Sequence, residues 1–218
     1  MRSRGVYVVL DGPDGCGKTT QSRHLATWLQ DERGESVLHV REPGSTKLGE
    51  ALRALLLAPD TGDLLPITEA LLFSAARAEL LRTQIAPALQ RGWVVVAERC
   101  WLSTLTYQGL APLAQELRVG IRLLQEVTAA VHDSLWPDRI FVLDVDAATA
   151  ERRRARSRGA GDRIEVRGSE YHQRVRDGYV TAARAEPRAR IVDASRTFDE
   201  VQRDLRAQLD SLIAQAGS

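Results

Sequence analysis

Val6-Tyr7-Val8-Val9-Leu10, followed by Asp11-Gly12-Pro13-Asp14-Gly15-Cys16-Gly17-Lys18-Thr19, is the stretch whose reading decides the fold. Its first five residues are an apolar, β-rich run. Gly12 to Thr19 match G-x-x-x-x-G-K-[ST], and a helical pattern runs on from Thr19 to Leu29. Strand, glycine loop and helix in that order make a phosphate-binding loop. The glycines let backbone N–H groups converge on phosphate oxygens. The helix N-terminus adds free donors and the positive end of its dipole. In this setting Lys18 reaches the β- and γ-phosphates, and the Thr19 hydroxyl holds Mg²⁺. Gly12, Asp14, Gly15, Gly17, Lys18, Thr19 and Thr20 are the expected nucleotide-binding set, with ATP and Mg²⁺ as cofactors. Only Lys18 and Lys47 are lysines among 30 basic residues, so arginine supplies nearly all other positive charge. A lysine kept in the loop suits a flexible point charge following a moving phosphoryl group.

Outward from the loop, strand-like and helix-like segments alternate. Strands are expected at 36–40, 93–97, 140–145 and 190–193. Helices are expected at 48–57, from Pro66 through Leu89, at 113–131, 147–158, 169–185 and 198–214. Such alternation implies a parallel sheet of five strands covered on both faces, with the site at the strands' C-terminal ends. No repeat or interdomain linker interrupts 1–218, so a single domain is expected.

Composition narrows the classes. The chain has 218 residues, 44% of them apolar, which is enough for a sizeable core. Its 30 basic and 29 acidic residues leave a net charge of +1. That balance gives no overall field for nucleic acid or membrane. No apolar run approaches a membrane span, and no signal peptide is visible. Cys16 and Cys100 lack metal-ligand spacing. A cytoplasmic setting is expected.

Four further segments carry chemistry. Arg41-Glu42-Pro43-Gly44-Ser45-Thr46 ends the second strand, where a second substrate should dock; an ordinary turn with Thr46 capping the next helix explains it equally well. Phe73 and Arg77 stand four apart on one helix face, so a base could stack on the ring while the guanidinium donates to a base carbonyl. In isolation such a pair is more often core plus solvated surface. Glu98-Arg99 ends the third strand beside the loop, where the acid can bind Mg²⁺ through water and Arg99 can clamp a phosphate. Thr104, Tyr107 and Gln108 follow on a helix, placed to meet a sugar or base. Arg152-Arg153-Arg154-Ala155-Arg156-Ser157-Arg158, then Gly159 to Glu165, reads as a lid whose arginines neutralise transition-state charge. A basic nucleic-acid patch is the alternative.

Together these segments resemble the bacterial thymidylate kinase (dTMP kinase) family over nearly the whole chain. The matching pieces are the loop D-G-P-D-G-C-G-K-T-T-Q, R-E-P-G-S-T, E-A-L-L-F-S-A-A-R, S-T-x-x-Y-Q-G, D-R-I-E at 162–165 and R-V-R-D-G-Y at 174–179. The resemblance implies the P-loop nucleoside monophosphate kinase fold, an α/β structure with a short lid around 152–165. It implies transfer of the ATP γ-phosphate to dTMP, giving dTDP, and a homodimer packed through long helices. Asp14 should contact the deoxyribose 3′-hydroxyl or nearby phosphate. Phe73 should stack on thymine, Arg77 should bond its O4, and Arg41 belongs to the acceptor site. Arg99 should hold the dTMP phosphate, Thr104 and Gln108 should read the base, and Tyr107 should pack under the sugar and disfavour a 2′-hydroxyl. Gly15 stands where some members carry a catalytic arginine, so Arg153, Arg156 or Arg158 of the lid must supply one.

The chain departs from the family pattern at Asp11 and Glu98, usually Glu and Asp. Total side-chain length is preserved, so Asp11 and Glu98 are expected to share the Mg²⁺ environment with Thr19 and compensate each other; independent drift at two tolerant positions is the alternative. Cys100 replaces Tyr or His, and Ser45 a second glycine. A deoxynucleoside kinase shares the fold and the Glu-Arg pair. A non-catalytic nucleotide-binding regulator and a nucleic-acid-binding ATPase are the readings from other classes.

Overall fold

A computed structural model describes residues 4–112, 118–156, 164 and 168–216. Five parallel strands form one sheet in the order β2-β3-β1-β4-β5: β1 (Val6–Asp11), β2 (Val37–Arg41), β3 (Val94–Glu98), β4 (Arg139–Asp144) and β5 (Ala189–Asp193). The expected strand count and parallel arrangement hold. The chain moves to one side of β1 first and to the other side later. The resulting crevice opens at the C-terminal ends of β1 and its neighbours.

Alternation along β1 sets the two cores. Tyr7 and Val9 face one layer, with Leu80, Ile85, Trp101, Val175 and Tyr179. Val6, Val8 and Leu10 face the other, with Leu25, Leu29, Val201 and Leu205. On β3, Val95 and Ala97 belong to the first layer and Val94 and Val96 to the second. The period-two pleat thus assigns each strand residue to one side of the sheet. The second layer is built by α1 (Lys18–Asp31) and α9 (Phe198–Ala216); α8 (Ser169–Ala185) covers the first.

Between β2 and β3 lie α2 (Lys47–Leu57), capped by the Thr46 hydroxyl accepting from the Gly49 N–H at 2.8 Å, and α3 (Pro66–Leu80). The expected helix from Pro66 through Leu89 is present without a break in its helical backbone, but not as a uniform α-helix. A π-helical turn, Leu81–Ile85, separates α3 from α4 (Ala86–Gln90). The Ala86 N–H bonds to the Leu81 carbonyl, five residues back. Pro87, next in the chain, has no N–H to continue the normal ladder.

After β3 come α5 (Trp101–Thr104) and a second π-helical segment, Leu105–Leu110. The helix expected over 113–131 starts late. Residues 118–120 are not helical, and α6 runs Ile121–His132; residues 113–117 lie outside the described set. The basic helix α7 is Ala147–Arg156, and the rest of the expected 147–158 segment lies outside the described residues.

Candidate active site

Positive backbone angles at Gly12 (φ 140°), Gly15 (φ 86°) and Gly17 (φ 94°) shape the phosphate loop. At Gly12 a Cβ would sit 2.6 Å from the Leu143 carbonyl oxygen, and at Gly15 it would collide with the carbonyl of Ala150 on α7. These two positions therefore need glycine for close approach as well as for backbone angle. Lys18 turns back over the loop. Its Nζ donates to Asp14 Oδ1 at 3.1 Å and to the carbonyls of Gly12 and Pro13, both at 3.3 Å.

Asp14 gathers the charges of the site. Besides Lys18 it pairs with Arg99 and accepts from the Tyr107 hydroxyl at 2.8 Å. Burial alone would raise the Asp14 carboxyl, but Arg99, Lys18 and Tyr107 hold it well below the ordinary carboxylate range. Arg99 has a left-handed backbone (φ 71°), and its N–H donates to the Leu10 carbonyl at 2.9 Å. Its guanidinium reaches Ser103 and Tyr179 and lies 5.5 Å from the Tyr107 ring centroid. Desolvation works against its charge, but Asp14 and neighbouring groups keep it firmly protonated.

A cleft of about 820 Å³ runs from the phosphate loop toward α3 and α5. Asp14, Gly15, Gly17, Lys18, Thr19 and Thr20 line one end, and Arg41, Phe73, Arg77, Thr104, Tyr107 and Gln108 line the other. Glu98, Arg99 and Arg153 also face it. Arg77 is held before any substrate arrives, with Nε donating to Glu42 Oε2 at 2.6 Å and Nη2 to the Thr104 hydroxyl at 3.1 Å. Burial pushes the Glu42 carboxyl up despite this pairing. Gln108 Nε2 donates to Glu69 Oε2 at 2.9 Å. Arg41 lies toward solvent and pairs with Glu50 at 3.2 Å.

Glu98 and Asp11 do not share a site. Glu98 lies on the α1 side, where the Thr19 hydroxyl donates to Oε2 at 2.7 Å and the Ser22 hydroxyl to Oε1 at 2.9 Å. His39 Nε2 lies 3.3 Å from the same Oε1. Burial would raise the Glu98 carboxyl, yet hydrogen bonds from His39, Thr19 and Ser22 draw it down to about 2. Asp11 points to the opposite side. It accepts from the Gly12 and Cys100 N–H groups at 2.8 and 3.1 Å, and from the Ser103 and Tyr179 hydroxyls, both at 2.8 Å. Asp11 does not line the cleft, contrary to the metal role expected for it. The reason is the register: Leu10, not Asp11, is paired with Glu98, so the pleat sends the two carboxylates to opposite faces.

On α7, Arg153 Nη2 donates to the Ala194 carbonyl at 3.0 Å and Nη1 to that of Cys16 at 3.4 Å. Arg154 Nη1 donates to the Asp14 carbonyl at 2.9 Å, a contact the sequence reading did not single out. Arg156 is the last residue of α7, with its side chain outside the described set, and Arg158 lies outside it altogether. Ile164 is buried against the cleft. Glu42, Glu69, Ser22, His39 and Ser103 also bond to site residues, a role not expected of them from the sequence. Helical spacing from Thr19 to Ser22 and strand alternation in β2 were the available signals for Ser22 and His39.

Comparisons agree with this geometry. The thymidylate kinase family model matches residues 10–205. A thymidylate kinase of Symbiobacterium thermophilum is 42% identical over 209 residues, covering 95% of this chain and 94% of the relative. One from Deinococcus radiodurans is 40% identical over 206 residues, covering 94% and 96%. The crystal structure of thymidylate kinase from Ehrlichia chaffeensis superposes with a TM-score of 0.75 at 29% identity, covering 94% of this chain and 98% of that one. Matched by the family model over residues 10–205 and by relatives almost end to end, this chain belongs to the thymidylate kinase family.

Proposed function

We infer that the two ends of the cleft divide the family reaction, transfer of the ATP γ-phosphate to dTMP, between donor and acceptor. The supporting observation is their continuity: Lys18 and Thr19 share one cavity with Phe73, Arg77 and Arg99. At the donor end, loop N–H groups and Lys18 bind the triphosphate, and Lys18 exchanges its loop carbonyls for phosphate oxygens. At the acceptor end, Phe73 stacks on thymine, Arg77 donates to the base, and Arg99 holds the dTMP phosphate. Arg41, Thr104 and Gln108 border the nucleotide, and Tyr107 packs under the sugar. Asp14 restrains Lys18 and Arg99 and lies near the sugar 3′-hydroxyl. The dTMP phosphate is already anionic, so positioning and charge neutralisation carry the rate.

Thr19 and Glu98 fit Mg²⁺. They are hard oxygen donors facing the cleft, and the carboxylate is ionised at neutral pH. When bound, Mg²⁺ neutralises and orients the ATP phosphates. Asp11 instead braces the start of α5 and its link to α8. Arg153, with Arg156 and Arg158 further along the lid, supplies positive charge that the loop lacks at Gly15. We read 1–218 as one domain with its lid around 152–165, working in the cytoplasm. Exposed Leu71 on α3, with Ile121 and Leu123 on α6, gives a homodimer an apolar face; sedimentation would register a dimer lost on Leu71→Glu and Leu123→Glu.

A coupled ADP-release assay over thymidine and nucleoside monophosphates tests the reaction, and dTMP should be preferred. Arg77→Ala should weaken dTMP binding by about 1.5–3 kcal/mol and leave ATP binding nearly unchanged. Preference for thymidine would favour a deoxynucleoside kinase, and an effect of Arg77→Ala on ATP alone would misplace the acceptor end.

A further inference from the structure

Glu98 is longer by one methylene than the aspartate usual at this place, and its side chain has an extra rotatable bond to restrain. Two side chains outside the expected site do this. Ser22, fully buried on α1, lies three residues after Thr19 and therefore on the same helix face. Its hydroxyl meets Glu98 Oε1 at 2.9 Å. His39 is paired in register with Val96 of β3, two residues before Glu98, so it shares that face of the sheet. Its Nε2 lies 3.0 Å from Ser22 Oγ and 3.3 Å from Glu98 Oε1. Ser22 and His39 thus occupy one carboxylate oxygen, while the other receives the Thr19 hydroxyl at 2.7 Å.

We propose that Ser22 and His39 are positioning residues that fix the Glu98 carboxylate against Thr19, so that a lengthened acid serves the Mg²⁺ environment of the phosphate loop. The inference rests on the Mg²⁺ role of Thr19 and Glu98. Neither residue needs to touch nucleotide. Each removes alternative rotamers of Glu98, as outer partners do for groups around a metal. Ser22 anchors the acid to the helix that carries Thr19, and His39 anchors it to the neighbouring strand. Phosphate-loop helix and sheet edge are thereby tied through one carboxylate oxygen.

The test compares wild type, Ser22→Ala, His39→Ala, His39→Gln and Glu98→Gln. Mn²⁺ is titrated into the ADP-bound protein and followed by electron paramagnetic resonance. Turnover is then measured against Mg²⁺ and against dTMP. Ser22→Ala and His39→Ala should each weaken Mn²⁺ binding about tenfold and raise the half-saturating Mg²⁺ in parallel. The Michaelis constant for dTMP should stay within about twofold, since the acceptor end is untouched. His39→Gln, which keeps a donor, should recover much of the loss. Ser22→Ala keeps good helix propensity, so it decides the matter if a His39 variant fails to fold. Unchanged Mn²⁺ affinity in the alanine variants, with loss in Glu98→Gln, would overturn the positioning role alone. Unchanged affinity in Glu98→Gln as well would overturn the metal reading beneath it.

Discussion

Two carboxylates finish adjacent strands of the same sheet, one residue out of register, and meet opposite surroundings. Glu98 faces α1, a cleft and mobile-ligand chemistry. Asp11 faces α5 and α8, where backbone and hydroxyl donors enclose it. Chemically similar groups at neighbouring strand ends acquire different work because a pleat reverses direction at every residue. In the function proposed above the α1 face serves transfer, while on the α5–α8 face Asp11, Ser103 and Tyr179 hold the surroundings of Arg99 in place.

The largest effect should come from the α1 face. Lys18→Ala should reduce turnover roughly 100- to 1,000-fold while circular dichroism and the melting midpoint stay close to wild type. Near-normal turnover would remove the loop from the chemistry and dissolve the contrast between faces.

Next, the two acids should fail differently. Asp11→Ala leaves the Gly12 and Cys100 N–H groups without their acceptor, and the Ser103 and Tyr179 hydroxyls with one acceptor fewer between them, at a cost of about 3 kcal/mol or more in urea unfolding. Glu98→Ala should cost turnover, roughly 10- to 100-fold, more than stability. The reverse pattern would mean that the faces have been assigned the wrong way round.

Acid titration separates the faces again. His132 lies on the Asp11 side, stacked on Trp136 at 4.6 Å, and burial lowers its pKa from 6.5 to about 4. Folding therefore favours neutral His132: that contribution is complete above pH 6.5 and lost as pH falls toward 4. Glu98 is lowered from 4.5 to about 2, so its contribution is complete above pH 4.5 and lost as pH falls toward 2. Unfolding free energy measured against pH should fall in two overlapping steps. His132→Gln should flatten the first and Glu98→Gln the second; one variant flattening both would couple the faces.

The smallest expected effect is an absence of coupling. Asp11→Glu and Glu98→Asp should combine additively in turnover, within about 0.5 kcal/mol. The sequence-based expectation of compensation requires the opposite, and a recovered double mutant would restore it.

What could be read from the chain follows from the range of each signal. The phosphate loop is local: glycine spacing, lysine and the flanking strand and helix patterns lie within twenty-four residues, Val6 to Leu29, so strand, turn and helix were all legible. Parallel five-stranded architecture followed from alternation alone. Arg99 was legible from its place at the end of the third strand, whereas Phe73 and Arg77, weak as an isolated pair, gained weight only from the joint resemblance to a family; the cleft brings all three together. The side chosen by Asp11 was not legible, because it depends on a register set by pairing Leu10 with Glu98, eighty-eight residues away. Glu42 and Glu69 escaped for the same reason: their partners, Arg77 and Gln108, lie 35 and 39 positions along the chain. The π-helical turn at Leu81–Ile85 had a local sign in Pro87, outweighed by the apolar periodicity on either side.

The carbonyl of Ala150 lies where a side chain at position 15 would begin. Arg153 and Arg154 of the same helix bond to the carbonyls of Cys16 and Asp14, on either side of that glycine. The loop and α7 therefore compete for a single volume. Gly15→Arg would push α7 aside, and with it the positive charge of Arg153 and Arg154. A side chain at position 15 and this packing of α7 therefore exclude each other, and passage from one to the other requires helix and loop to change together.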